Sequence, residues 1–88
     1  MTERHVTVVN PLGLHARPAA QLVRLASSFS SHIELVKEGL PVNAKSIMGV
    51  MMLSAECTST LTIRAAGDDE EQAVAALTDL VISGFGET

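Results

Sequence analysis

Aromatic side chains are almost missing from this chain, which has two phenylalanines, no tyrosine and no tryptophan in 88 residues. Its core must therefore be aliphatic, built from Val, Leu, Ile, Ala and Met. Cysteine is equally scarce. Cys57 alone excludes an internal disulfide, and no Cys/His spacing resembles a zinc site, so a reducing compartment is expected. No apolar run is long enough to cross a bilayer, and "MTERHVTVV" reads as charges and a short strand, not as a signal peptide. A cytoplasmic location without membrane insertion is the expectation. Basic residues are also few. The formal net charge of −4 argues against nucleic acid as a direct partner.

What is present is enough for one core and too little for two. Hydrophobic residues make up 47 % of the chain, so it is expected to fold. Charge is uneven. Residues 1–49 carry Arg4, Arg17, Arg24, Lys37 and Lys45 against Glu3, Glu34 and Glu38, a balance of +2. Residues 50–88 carry Arg64 against seven acids, a balance of −6. The first half suits an anion or an acidic protein surface, although ordinary uneven surface charge accounts for the pattern equally well.

Periodicity gives the element order. "HVTVV" alternates, with Val6 and Val8 on one face. Asn10-Pro11 and Gly13 supply turn chemistry. From Ala16 the period becomes helical, with Ala19, Leu22, Val23, Ala26 and Phe29 on one stripe and "SSFSS" as the stop. "HIELVK" is a second strand, turned at Glu38-Gly39 into a short third around "LPV", which Pro41 places at an edge. A short helix is predicted to open at Ser46, followed by a fourth strand in "STLTIRAA" with Leu61, Ile63 and Ala65 inward. Asp68 and Glu71 read as a capping-box pair before a last helix whose apolar face holds Ala73, Val74, Leu77, Leu80 and Val81, with Gly84 as its stop. The order β-α-β-β-α-β-α, with one apolar face per strand, predicts an α+β open-faced β-sandwich: a four-stranded antiparallel sheet with three helices packed on one face.

The chemistry concentrates in "NPLGLHARPAA", Asn10 to Ala20. His15 falls near the cap of the first helix, with Ala16, Arg17 and Pro18 forming its first turn. A helix N-terminus offers free N–H donors and a partial positive charge, which favour an anion and disfavour an imidazolium. A neutral, exposed imidazole nitrogen there is a nucleophile, and Arg17 adds a planar fork of donors suited to phosphate. Gly13 permits a sharp turn. Pro18 costs nothing in a first turn and pre-sets it. Taken alone, the same residues describe a capping histidine beside a surface arginine, a common structural arrangement. His5 and His32 read as outward strand residues, so a three-histidine metal site is not expected.

"GLHARPAA" resembles the active-site signature of the HPr family, the histidine-containing phosphocarriers of the bacterial phosphoenolpyruvate-dependent sugar phosphotransferase system. "VNAKSIMGVMML", Val42 to Leu53, resembles the family's second signature, around a regulatory serine. With both motifs at the family's separation, the resemblance covers residues 1–88 as one HPr-like domain. It implies that His15 takes a phosphoryl group on Nδ1 from enzyme I and passes it to the A domains of sugar-specific enzymes II, and that Arg17 ion-pairs with the group. It implies that an ATP-dependent HPr kinase/phosphorylase modifies Ser46. No metal or organic cofactor is implied, and the chain would be a carrier rather than a free-standing enzyme. Leu12 departs from the pattern, since many relatives carry a small polar residue there.

Ser46 also has a structural role open to it, as the N-cap of the short helix. That helix holds Ile47, Met48, Val50, Met51, Met52 and Leu53, more apolar residues than one stripe buries. Val50 and Leu53 are predicted to be core. Ile47, Met48 and Met51 are predicted to form an exposed docking patch, with Ala20 and Arg24 on the first helix, because adaptable Met suits a surface that serves several partners. Two functional classes follow: a phosphocarrier, or mainly a regulatory interaction protein whose Ser46-phosphorylated form is a corepressor for a catabolite-control transcription factor. A binding domain without phosphoryl chemistry is a third, which His15 with Arg17 argues against. A monomer is expected.

Overall fold

A computed structural model of the chain describes residues 1–87. Strands β1 (Thr2–Thr7), β2 (His32–Lys37), β3 (Leu40–Asn43) and β4 (Thr60–Ala66) form one antiparallel sheet in the order β1-β4-β2-β3. Helices α1 (Ala16–Ser27), α2 (Ile47–Met52) and α3 (Glu70–Ile82) cover one face, and a 3-10 turn at Gly84–Gly86 ends the chain's described structure. This is the open-faced sandwich expected from the alternating strands.

The register explains why one face is dry. Val6 lies opposite Leu61 and Leu35 opposite Ile63, so Val6, Leu61, Ile63 and Leu35 all point under the helices and are buried. Leu22 and Ala26 from α1, Val50 from α2, and Val74, Leu77 and Val81 from α3 close over them. Each large aliphatic side chain taken from water contributes about 1.5–3 kcal/mol. On the open face Arg64 is held between Glu3 and Glu34 by the same register, with a 3.0 Å ion pair to Glu34. Pro41 sits in β3 at the sheet edge, where its missing N–H breaks no ladder. Glu38 and Gly39 both adopt positive φ (51° and 79°), the pair of angles a tight hairpin turn requires.

The start of α3 corrects the capping pair read from sequence. The helix opens one residue later than Asp68 implied, with Asp69 at the N-cap, and Asp69 makes no capping bond. Its carboxylate instead accepts from the backbone N–H of Ser30 (2.8 Å) and of Ser31 (2.9 Å) and from the Ser31 hydroxyl. Those bonds, the Ser31 hydroxyl first, hold its carboxyl at about 2, well below the usual range. Glu70, not Glu71, reaches back to the Gly67 N–H (3.2 Å) and also accepts from the Thr2 hydroxyl (2.6 Å). Its carboxyl is lowered to about 2, by the Thr2 hydroxyl most, then by the Gly67 N–H and the chain's N-terminal ammonium. Two acids thus tie the α3 start to the α1–β2 loop and to β1. A helix-local motif could not anticipate this, because the competing donors lie more than thirty residues away.

Candidate functional site

The loop between β1 and α1 is fixed by Gly13. Its φ is +64°, and a Cβ there would overlap the carbonyl oxygen of Ala55, so glycine is needed on both counts. Gly13 N–H bonds the Asn10 carbonyl (3.1 Å) and Leu14 N–H bonds that same Ala55 carbonyl (2.9 Å). The chain is stitched down on both sides immediately before His15.

His15 is the N-cap of α1, with extended backbone (φ −75°, ψ −173°) and no capping bond from its own side chain. The helical ladder starts with Ala19 N–H on the His15 carbonyl (3.0 Å). Ala16 and Arg17 therefore present backbone N–H groups with no partner among the described residues, and both residues are exposed. Pro18 is buried in the first turn. The imidazole is 37 % exposed, which keeps it accessible. Leu12 is 73 % exposed and supplies no cap. Together with Pro11, Arg17 and Glu87 it lines a shallow open depression.

Glu87 was not legible in the sequence. Its Oε2 lies 2.9 Å from His15 Nε2 and its Oε1 accepts from the Asn10 side-chain amide at 3.0 Å. The same amide nitrogen donates to the Gly13 carbonyl at 2.6 Å. Both neighbours of that nitrogen are acceptors, which fixes the amide's orientation. Asn10 is fully buried, and its Oδ1 has no partner among the described residues. The only local signal for Glu87 was the glycine-flanked "GFGE", which foretells a turn but not its destination.

Ser46 is the N-cap of α2, and its hydroxyl accepts from the Gly49 N–H at 3.1 Å. Beyond it Val50 and Leu53 are buried, whereas Met48 is 77 % and Met52 69 % exposed, with Ile47 and Met51 about half so. Helix α2 packs beside α1. Ala20 is half-buried on α1. Arg24 lines a groove with Gln21, Leu25, Ser28 and Leu80, on the flank of α1 that faces α3. His5 bonds the Thr62 hydroxyl (2.8 Å) and His32 approaches Glu34 (3.5 Å), both on the strands and away from α1.

Residues 2–83 match the family model described as the PTS HPr component phosphorylation site. The chain belongs to the HPr family. It is 48 % identical over 87 residues to the phosphocarrier protein HPr of Cupriavidus necator, spanning 99 % of this chain and 98 % of that one. The crystal structure of HPr-C-His from Thermoanaerobacter tengcongensis superposes with a TM-score of 0.97 at 50 % identity, covering 100 % of this chain and 99 % of that one. A crystal structure of an HPr dimer from the same organism matches with a TM-score of 0.80, again at 50 % identity, over 99 % and 100 % of the two chains. An HPr protein is a phosphocarrier of the sugar phosphotransferase system, and "GLHARPAA" runs from the loop before α1 through its N-cap His15 into its first turn, where donors for an anion are free. No helix among the described residues is long and apolar enough to cross a membrane.

Proposed function

We propose that His15 is the phosphoryl acceptor: it takes the group from phosphorylated enzyme I and hands it to the A domains of sugar-specific enzymes II. The observation that carries this reading is the accessible imidazole at the N-cap of α1, beside two free backbone N–H groups and Arg17. The Nδ1 lone pair attacks phosphorus and the bond from phosphorus to the donor breaks, its electron pair leaving with the donor. The equatorial oxygens then meet the Ala16 and Arg17 N–H groups and the Arg17 guanidinium, donors already aimed before the group arrives. The second transfer reverses these roles, with imidazole as leaving group. The chain is thus consumed and regenerated as a substrate, and its work is done in the cytoplasm as a monomer.

Incubation with phosphoenolpyruvate and enzyme I is expected to give an acid-labile, base-stable label that is lost in His15→Ala. An unlabelled wild-type protein refutes the assignment.

Ser46 is assigned as a regulatory site for an ATP-dependent HPr kinase/phosphorylase. A phosphate on an N-cap is welcomed by the helix terminus, so the fold is expected to persist. The added dianion acts on binding, by repelling an acidic partner surface. Ile47, Met48 and Met51 form the docking patch with Ala20 on α1, whereas Arg24, expected beside them, lines the groove on the α1 flank that faces α3. Slower loading of Ser46→Asp by enzyme I is the expected result, and an unchanged rate counts against it. The exposed methionine face next to Ser46 favours one further reading, a Ser46-phosphorylated corepressor for a catabolite-control transcription factor. Retention of that factor by the phosphorylated protein but not by Ser46→Ala tests it.

A further inference from the structure

The sequence signatures end well before the C-terminus, yet the C-terminus reaches the site. Phe85 is buried with φ +57°, flanked by Gly84 and Gly86 at +70° and +74°, and Glu87 N–H closes the turn on the Gly84 carbonyl at 2.9 Å. An apolar anchor and a strained turn thus set where Glu87 stands. Its side chain is only 20 % exposed and is gripped from the other side by the buried Asn10 amide. The carboxylate is held at both oxygens, one by Asn10 and one by His15.

An ionised carboxylate only accepts hydrogen bonds, so the ring nitrogen facing it must carry the proton. That nitrogen is Nε2. Nδ1 makes no hydrogen bond among the described residues and keeps its lone pair. From this geometry we infer that Glu87 is a positioning residue that selects which nitrogen of His15 is phosphorylated, by locking the Nε2–H tautomer and covering Nε2. The inference rests on His15 as the acceptor and adds what controls it.

The proton count gives the arrangement a chemical consequence. As the Nδ1–P bond forms, the ring keeps its Nε2 proton and becomes a phospho-imidazolium. Glu87 balances that positive charge at hydrogen-bond distance. When the phosphoryl group leaves, the electron pair of the N–P bond returns to Nδ1 and neutral imidazole departs. No proton has to enter or leave the ring in either direction. Arg17 is the other charged group lining the depression. Residues 8–14 of the preceding loop carry no charge, and Glu56, in the loop against Gly13, is exposed.

The full chain, labelled with ¹⁵N at histidine, is compared with Glu87→Ala and Glu87→Gln. At a pH where the ring is neutral, wild-type His15 is expected to show Nε2 protonated and Nδ1 bare. Glu87→Ala is expected to shift the tautomer ratio toward Nδ1–H by about tenfold, as loss of a hydrogen bond to a charged acceptor implies. Glu87→Gln, whose amide oxygen still accepts, restores the wild-type spectrum. Phosphorylation with phosphoramidate, a small donor that needs no protein partner, is then read by ³¹P NMR. Wild type is expected to carry its label on Nδ1, and Glu87→Ala to gain the Nε2 isomer. Wild-type tautomer and isomer ratios in Glu87→Ala overturn the inference. Because phosphoramidate bypasses enzyme I, a protein that enzyme I fails to load but whose isomer ratio follows Glu87 refutes the carrier reading and supports the positioning role. A protein loaded normally by enzyme I with an indifferent isomer ratio refutes the positioning role alone.

Discussion

Replacing Gly13 with alanine incurs two costs at once, which a second substitution at Gly39 separates. The first is conformational: an L-residue held near φ +64° costs about 1–2 kcal/mol. The second is steric. The new Cβ overlaps the Ala55 carbonyl oxygen and stands 2.8 Å from the Glu56 Cα, and both of those atoms are backbone. Neither can swing aside as a flexible side chain would, so the 55–56 segment must shift, at about 1–3 kcal/mol by analogy with other overpacked sites. Gly13→Ala is thus expected to lose about 2–5 kcal/mol. Gly39→Ala isolates the first cost, since its φ is +79° but no atom lies within 4 Å of the added Cβ. In a domain of this size each kcal/mol moves Tm by about 4–8 °C. Thermal unfolding followed by circular dichroism is expected to place Gly13→Ala roughly 10 °C or more below wild type and Gly39→Ala about 5 °C below. Two variants melting within about 3 °C of each other refute the steric reasoning. Leu14 bonds the same Ala55 carbonyl, so whatever of Gly13→Ala survives folded is also expected to accept phosphoryl more slowly than Gly39→Ala.

Acid is expected to loosen the α3 start. Asp69 and Glu70 are held at about 2 in the folded chain against roughly 4 for free carboxylates, so their contribution is complete above that ordinary value. It is lost as pH falls toward 2. Urea midpoints measured between pH 6 and 2 are expected to decline, and to decline less in Asp69→Asn; a parallel decline in the two proteins counts against the clamp. Ser46→Ala is expected to cost about 1 kcal/mol through the lost bond from Gly49 N–H, while Ser46→Asp, which still caps, keeps wild-type stability in the same urea assay. In α2, Val50→Ala is expected to destabilise by about 2 kcal/mol and Met48→Ala to leave the urea midpoint within error, because Val50 is fully buried and Met48 lies in solvent.

How far a sequence can be read depends on the range of the interaction that decides each feature. The alternation of β2 and β4, the α1 stripe, the Glu38-Gly39 turn and the Gly84 stop all rest on neighbours within one or two turns of chain and stand where periodicity put them. Strand β1 instead runs Thr2–Thr7, starting three residues before the expected "HVTVV" and ending two residues short of it. Ser46 is legible for the same reason, since its capping partner Gly49 is three residues away. The sorting of α2 follows from counting: five apolar residues within Ile47–Met52, with Leu53 at its C-cap, exceed its inner face, so Met48 and Met51 were left for solvent while Val50 went under. Asp69 broke the local rule because the α1–β2 loop outbid its own helix for the carboxylate, with three donors against one cap. Glu87 lies furthest beyond local reading. Its contact with His15 spans 72 residues and exists only after β1, β4 and α3 have packed and Phe85 has found the core. The two ends of the site thus differ in kind. His15 and Arg17 are presented by a helix start written into eight consecutive letters, whereas the carboxylate against Nε2 is delivered by the finished fold. Such a division keeps an accessible imidazole in a short motif and places the carboxylate that meets it where correct folding is the condition for contact.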